Sequence, residues 1–389
     1  MVAAPAAEVA RVAVRVRQAA RAAAPALIAY GVLRVLGVAT LAVAAAREDR
    51  SVWKLLGRFD ATWYVQIAES GYDPAIPTRA DGGLASTDLA FFPLYPALIA
   101  VLDPVLPGVA PVAALVISWL AGVVAAAGLY ALGLHLRDRR TGIALAALWA
   151  VLPHAIVQSM GYTETLFTAL AAWSLWALLR GHWLVAGGLC GLAGLTRPTA
   201  GALVAAVVLA AAVAILRRRD GWRPWAAGLL APLGLLGYLL WVGHRLGRLD
   251  GYLHVQSDAW GMSFDGGRFT LDVLGRVLTT PQDLVIYVTT LVVILAVLLF
   301  ALVVALAVVG RVPWPLLVFA GLVLILALGG EGYFHAKGRL LLPAFPLLLP
   351  IAFGLARART LVWLVVFVAL AAFSSWYATY LCLVWPRSP

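Results

Sequence analysis

Repeated, uninterrupted apolar runs constrain this chain more than any other feature. A helix needs about 20 apolar residues to cross the hydrocarbon core of a bilayer. Runs of that order, some shorter, lie near 25–46, 111–134, 141–157, 162–180, 183–197, 199–216, 224–244, 284–309, 314–329, 340–356 and 360–382. The sequence therefore predicts an all-α, polytopic helical membrane protein with roughly eleven transmembrane helices, in one integral membrane domain over 1–389. A mean hydropathy of +0.94 excludes a soluble globular fold. A membrane barrel fits poorly, because its strands are about ten residues of alternating polarity and these runs are continuous.

The net charge of +11 would point to nucleic acid if it stood in one patch. Instead the basic residues gather in short loops: an N-terminal arm with Arg11, Arg15, Arg17 and Arg21, then 135–140, 180–182, 217–223, 310–311 and 357–359. Alternating threading places all of these on the cytoplasmic side, as the positive-inside rule requires. All but three of the 18 acidic residues then fall on the extracytoplasmic side. The excess positive charge is topology, and no nucleic-acid partner is expected. Residues 1–24 read as a cytoplasmic basic arm, an amphipathic helix on the inner leaflet, with a cleavable signal peptide as the alternative. Two lysines, Lys54 and Lys337, against 27 arginines, with abundant Ala, Gly and Pro, indicate a high-GC bacterial genome and hence a bacterial plasma membrane. Cys190 and Cys382 sit inside apolar runs without metal-type spacing and read as small core residues.

Two connections, 47–110 and 245–283, are long, and long connections usually carry function. In VWKLLGRFDATWYVQIAESGYDP, the stripe Val52, Leu56, Phe59, Trp63 and Ile67 predicts one surface helix, ended by Gly71 and Asp73-Pro74. Asp60 and Tyr64 fall one turn apart on an adjoining face. An interfacial helix whose acids merely face water satisfies this spacing equally well. In LAFFPLYPALIAVL (89–102), Pro93 and Pro96 permit only a broken, non-spanning helix.

The stretch FDATWYVQIAESGY followed by AFFPLYP resembles the first outer loop of the PIG-V family of mannosyltransferases, within the GT-C class of membrane glycosyltransferases. The matching positions are Phe59-Asp60, Trp63-Tyr64, Ile67-Ala68, Gly71-Tyr72 and Ala90 to Pro96, with Phe59 standing where the family usually has tryptophan. GYTETLFTAL (161–170) and GLTRPTAG (194–201) are similar to later segments of that family, and YFHAKGRLLLPAFP (333–346) is similar to an outer loop of related GT-C enzymes. The resemblance implies a GT-C fold and an inverting transfer of a sugar, mannose in that family, from a polyprenyl-phosphate donor to an acceptor hydroxyl on the extracytoplasmic face. The acceptor is a glycolipid, a polysaccharide or a protein; membrane lipids surround the chain, and no cofactor is implied beyond the lipid-linked donor.

Such a displacement needs a base for the hydroxyl proton and a cationic environment for the departing phosphate. Asp60 is the candidate base, ionised at neutral pH with a reference pKa of about 3.9; Glu69 is its nearby rival. Trp63 and Tyr64, beside Asp60, are candidate substrate-binding residues. Glu164, at the outer end of a span, either pairs with Arg197 or contacts substrate, or does both. His335, Lys337 and Arg339, three cations in five residues beside Tyr333 and Phe334, form the candidate phosphate site, with Arg197 as helper. Singly, each reads as well as an interfacial anchor. His154 reads as structural, and Arg34, mid-span, requires a polar partner inside the bundle. Asp60, Asp73, Asp81 and Asp88 match no metal loop, so no metal is expected. The rival function is a secondary transporter or lipid flippase, which would favour inverted repeats and midplane charges; here the polar residues concentrate at one face. A structural or receptor-like protein would need no convergence of acid and cations.

Overall fold

Proline and glycine decide where the apolar runs break into helices. The computed structural model describes residues 4–106 and 110–389, with side chains from 17 onward except 19 and 110. In chain order the helices are α1 (Ala4–Arg47), α2 (Val52–Leu56), α3 (Asp60–Ser70), α4 (Leu94–Leu102), α5 (Ala110–Leu136), α6 (Arg139–Ala150), α7 (Glu164–Leu179), α8 (Trp183–Ala193) and α9 (Ala200–Leu216). They continue with α10 (Arg223–Leu230), α11 (Leu233–Leu246), α12 (Gly251–His254), α13 (Arg268–Thr279), α14 (Leu284–Val308), α15 (Trp314–Gly329), α16 (Lys337–Leu340), α17 (Leu349–Arg357) and α18 (Thr360–Thr379).

Every predicted apolar run is largely helical, but the eleven full spans are not reproduced. Among the described residues, five segments are long and apolar enough to cross a membrane: Ala20–Arg47, Pro111–Leu136, Arg223–Leu246, Leu284–Val308 and Thr360–Val384. The run at 340–356 is instead part of a pair, Phe334–Leu340 and Phe345–Arg357, bent by 77°, which counts as a sixth only if taken as one broken span. Pro343 and Pro346 lie at the bend and remove the amide donors a continuous helix would need. Likewise α6 stops at Ala150, three residues before Pro153, and α8 at Ala193, before Gly194 and Pro198. The N-terminal arm is not a separate surface helix: α1 runs unbroken for 44 residues through arm and span. Arg11 and Arg15 lie outside the described side chains.

The main core draws on α1, α5 to α10, α14, α15 and α17, and it is rich in alanine. Small residues let backbones touch, as membrane helix pairs require: a Cβ on Gly133 of α5 would lie 2.5 Å from Gly142 Cα of α6. Arg34 has the polar partners its position demands, donating from Nη1 to Ala150 O at 2.8 Å and from Nη2 to Ser159 Oγ at 3.1 Å.

The two long connections fold over one end of this bundle. The predicted helix over 52–70 is two helices, α2 and α3, turned at Phe59, whose φ of 60° and ψ of −120° match the first central position of a type II′ turn. Leu56 O accepts from Gly161 N at 3.1 Å, so the break seats α2 against the segment before α7. Gly71, at φ 75°, ends α3 as the sequence predicts. The non-spanning helix α4 is fixed by Leu94 N donating to Leu195 O at 2.9 Å and by Tyr95, whose hydroxyl reaches Ala114 O at 2.7 Å. Asp258, in a π-helical turn at Val255–Ala259, ties the two connections together. It accepts from Leu84 N at 2.6 Å and pairs with Arg79 Nη2 at 3.1 Å.

Candidate active site

α3 begins at Asp60, where a carboxylate is favoured by the helix dipole, and the turn at Phe59 aims that carboxylate into the bundle end. There Asp60 Oδ2 accepts from Arg339 Nη1 at 2.8 Å. Arg339 Nε in turn lies 3.4 Å from Glu164 Oε1 at the start of α7, and Arg197 Nη1 lies 2.8 Å from the same oxygen. Four charges of alternating sign, from chain positions up to 279 residues apart, thus form one chain: Asp60, Arg339, Glu164, Arg197. Glu164 and Arg197 are buried and Arg339 is partly buried, while the Asp60 side chain keeps 25% of its exposure.

The approaches within this chain are close but bent. Arg197 Nη1 and Nε and Arg339 Nε are buried donors without a hydrogen-bond partner among the described residues. Unpaired buried polar groups are costly, and here the anion beside these donors is Glu164, whose Oε1 lies 2.8 Å from Arg197 Nη1 and 3.4 Å from Arg339 Nε.

These side chains line a cavity of about 370 Å³. Trp63 and Tyr64 from α3 and Phe91 and Phe92 from the AFFP segment form one aromatic wall, Trp63 stacking on Phe91 at 5.6 Å and edge-on to Trp260 at 5.5 Å. The Tyr64 hydroxyl lies 3.3 Å from Thr163 Oγ1. Burial first, and the Asp60 carboxylate second, hold that phenol well above its ordinary pKa, so it remains protonated. Three apolar grooves elsewhere on the bundle, one of about 740 Å³, bring together no comparable set of charges among the described residues.

Of the residues singled out by sequence, Asp60, Trp63, Tyr64, Glu164, Arg197, His335 and Arg339 all line this cavity. Lys337 does not, which corrects its place in the predicted phosphate cluster. It is 2% exposed, and Nζ donates to Ala327 O at 2.8 Å and Gly330 O at 2.6 Å, closing the end of α15. Glu69 is exposed and outside the cavity. His154 is buried against Gly338 and edge-on to Tyr377, away from the cavity. Asp73, Asp81 and Asp88 are absent from the lining as well; Asp88 accepts from Asp73 N at 2.7 Å, and Asp81 pairs with Arg79 at 3.3 Å.

Sequence reasoning missed two groups of lining residues. Tyr252, Gln256, Trp260 and Met262 come from the second long connection, and Arg387 and Ser388 from the segment after α18. The length of the second connection flagged its importance but named no residue. Nothing local marks Arg387.

A family model described as dolichyl-phosphate-mannose-protein mannosyltransferase matches residues 92–244, a segment that holds Glu164 and Arg197 but not Asp60. Comparison with curated proteins gives no match. Among solved structures, the chain is similar to the oligosaccharyltransferase of Archaeoglobus fulgidus in its apo form, with a TM-score of 0.50 and 14% identity over 92% of this chain and 55% of that one. A structure of the same archaeal enzyme in complex with an inhibitory peptide and a dolichol-phosphate superposes with a TM-score of 0.45 and 14% identity over 91% of this chain and 55% of that chain. This chain therefore spans little more than half the length of that enzyme. At such identity the apo likeness establishes the fold, a GT-C-type helical membrane fold, and nothing of the chemistry.

Proposed function

We propose that this chain is a membrane glycosyltransferase that moves a sugar from a polyprenyl-phosphate donor to an acceptor hydroxyl. One observation carries the reading: Asp60, Glu164, Arg197 and Arg339 converge on one cavity as a chain of two carboxylates and two guanidiniums. The family match over 92–244 and the GT-C-type fold support it.

The chemistry is a single displacement at the anomeric carbon. The acceptor oxygen bonds to that carbon as its bond to the donor phosphate oxygen breaks, so the configuration inverts. Asp60, partly open to the cavity, takes the hydroxyl proton, a step that typically contributes about 10²–10⁴-fold. The phosphate leaves with added negative charge, which Arg339 and Arg197 stabilise. Trp63, Tyr64 and Trp260 offer aromatic faces for the sugar. Mannose is carried over from the family that the motifs around Asp60 resemble and from the description of the family model over 92–244. The positive-inside arrangement of the short loops puts the cavity on the extracytoplasmic face of the plasma membrane.

The test is transfer of label from polyprenyl-phosphate sugars, mannose and other hexoses in parallel, in membranes holding the wild-type chain or Asp60→Asn. The variant should fold normally and lose about 10²-fold or more in turnover. Near-normal turnover would remove Asp60 from the role of base.

A further inference from the structure

Arg387 faces the cavity in none of the ion pairs among the described residues. Its position is nonetheless fixed. A π-helical turn at Tyr380–Val384 follows α18, and Trp385 N closes it by donating to Tyr380 O at 3.0 Å. The Trp385 ring is buried edge-on to His335, 5.4 Å between centroids. On the other side of Arg387, Ser388 Oγ accepts from Arg339 Nη1 at 3.0 Å and lies 3.1 Å from the Tyr162 hydroxyl. Anchors on both flanks hold the backbone of Arg387 at the cavity mouth, where its side chain is exposed, and π-helical turns are frequent at functional sites.

Charge decides what that arginine does. Asp60, Arg339, Glu164 and Arg197 alternate in sign and sum to zero, so a phosphodiester brought among them would add one uncompensated negative charge in a site where water screens poorly. Arg387 is the remaining arginine of the lining. We infer that Arg387 is the charge partner of the donor's phosphodiester, and that Arg339 passes from Asp60 to the leaving phosphate when Asp60 is protonated. This deepens the glycosyl-transfer reading and rests on it. The step balances: the acceptor proton goes to Asp60 and neutralises it, the electron pair of the breaking bond goes to the phosphate oxygen, and the new phosphomonoester charge faces two cations, Arg387 and the released Arg339. Arg197 stays with Glu164 throughout.

Arg387→Gln and Arg387→Lys, compared with wild type for donor and acceptor kinetics and for binding of polyprenyl phosphate against neutral polyprenol, test the assignment. Arg387→Gln should raise the donor KM by about tenfold or more and weaken polyprenyl-phosphate binding to the same degree, the usual scale for a lost charge-assisted contact. Acceptor KM and polyprenol binding should stay near wild type, and Arg387→Lys should recover part of the loss. A donor KM unmoved by Arg387→Gln, or donor and acceptor KM rising together, would overturn the assignment while the transfer reading stands. Wild-type membranes that neither transfer sugar nor bind polyprenyl phosphate would overturn the reading itself, and this inference with it.

Discussion

The backbone angles of Phe59 belong to glycine. A side chain at φ 60°, ψ −120° is strained by about 1–3 kcal/mol, and the strain sits one residue before the proposed base. Phe59→Gly relieves it and Phe59→Ala does not, although both remove the ring. The glycine variant should therefore melt above the alanine variant, by the equivalent of about 1 kcal/mol or more, in thermal unfolding in detergent. An alanine variant at least as stable as the glycine one would mean the turn stores nothing. Lys337 makes the opposite case, a charge whose work is structural. Its two bonds, to Ala327 O in α15 and to Gly330 O just past its end, are of a kind worth about 1.5–3 kcal/mol each. Lys337→Met should lower the melting temperature and leave the donor KM of the folded enzyme unchanged; a raised donor KM at normal stability would return Lys337 to the phosphate site. The sequence could not separate it from its neighbours by type. In a helical turn His335 and Arg339, four apart, share a face, and Lys337, two from each, points the other way.

Among the elements, the clamp between the two long connections is the part most open to pH. Asp258 accepts from the Leu84 amide, and that bond first, with Arg79 after it, lowers the Asp258 pKa below its ordinary 3.8. A depressed folded-state pKa contributes stability that is complete above the unfolded value and lost as pH falls through the folded value. Protease cleavage within 76–86 should stay constant from pH 8 to about pH 5 and rise only in acid below the ordinary carboxylate range. Asp258→Ala should show the fast cleavage at every pH. Equal cleavage of both proteins at neutral pH would mean the clamp holds nothing. Element types were largely legible: the apolar runs gave the helices, Gly71 the end of α3, and the prolines of 89–102 a helix too short to span. The break at Phe59 was not, because the stripe Val52, Leu56, Phe59, Trp63, Ile67 keeps helical period across it. What stops the helix is the contact of Leu56 O with Gly161, about a hundred residues away.

For the molecule as a whole, the cavity is an assembly of separate helix ends. Asp60 comes from the first connection, Glu164 and Arg197 from the starts of neighbouring helices, Arg339 from the bent pair, and Arg387 from beyond the last helix. The segments FDATWY, GYTETLF, LTRP and FHAKGR announced four of these, because local motifs held each with its aromatic or helix-start neighbours. By itself the sequence determined the helical class, the arrangement of basic loops and the local chemistry of each motif, since hydropathy, charge asymmetry and turn residues act over a few residues of chain. Only the tertiary structure decided that α2 and α3 part at Phe59, that Lys337 turns away, and that Arg387 enters. Each depends on contacts between residues far apart in the chain, and pairings at that distance leave no periodicity or spacing to read.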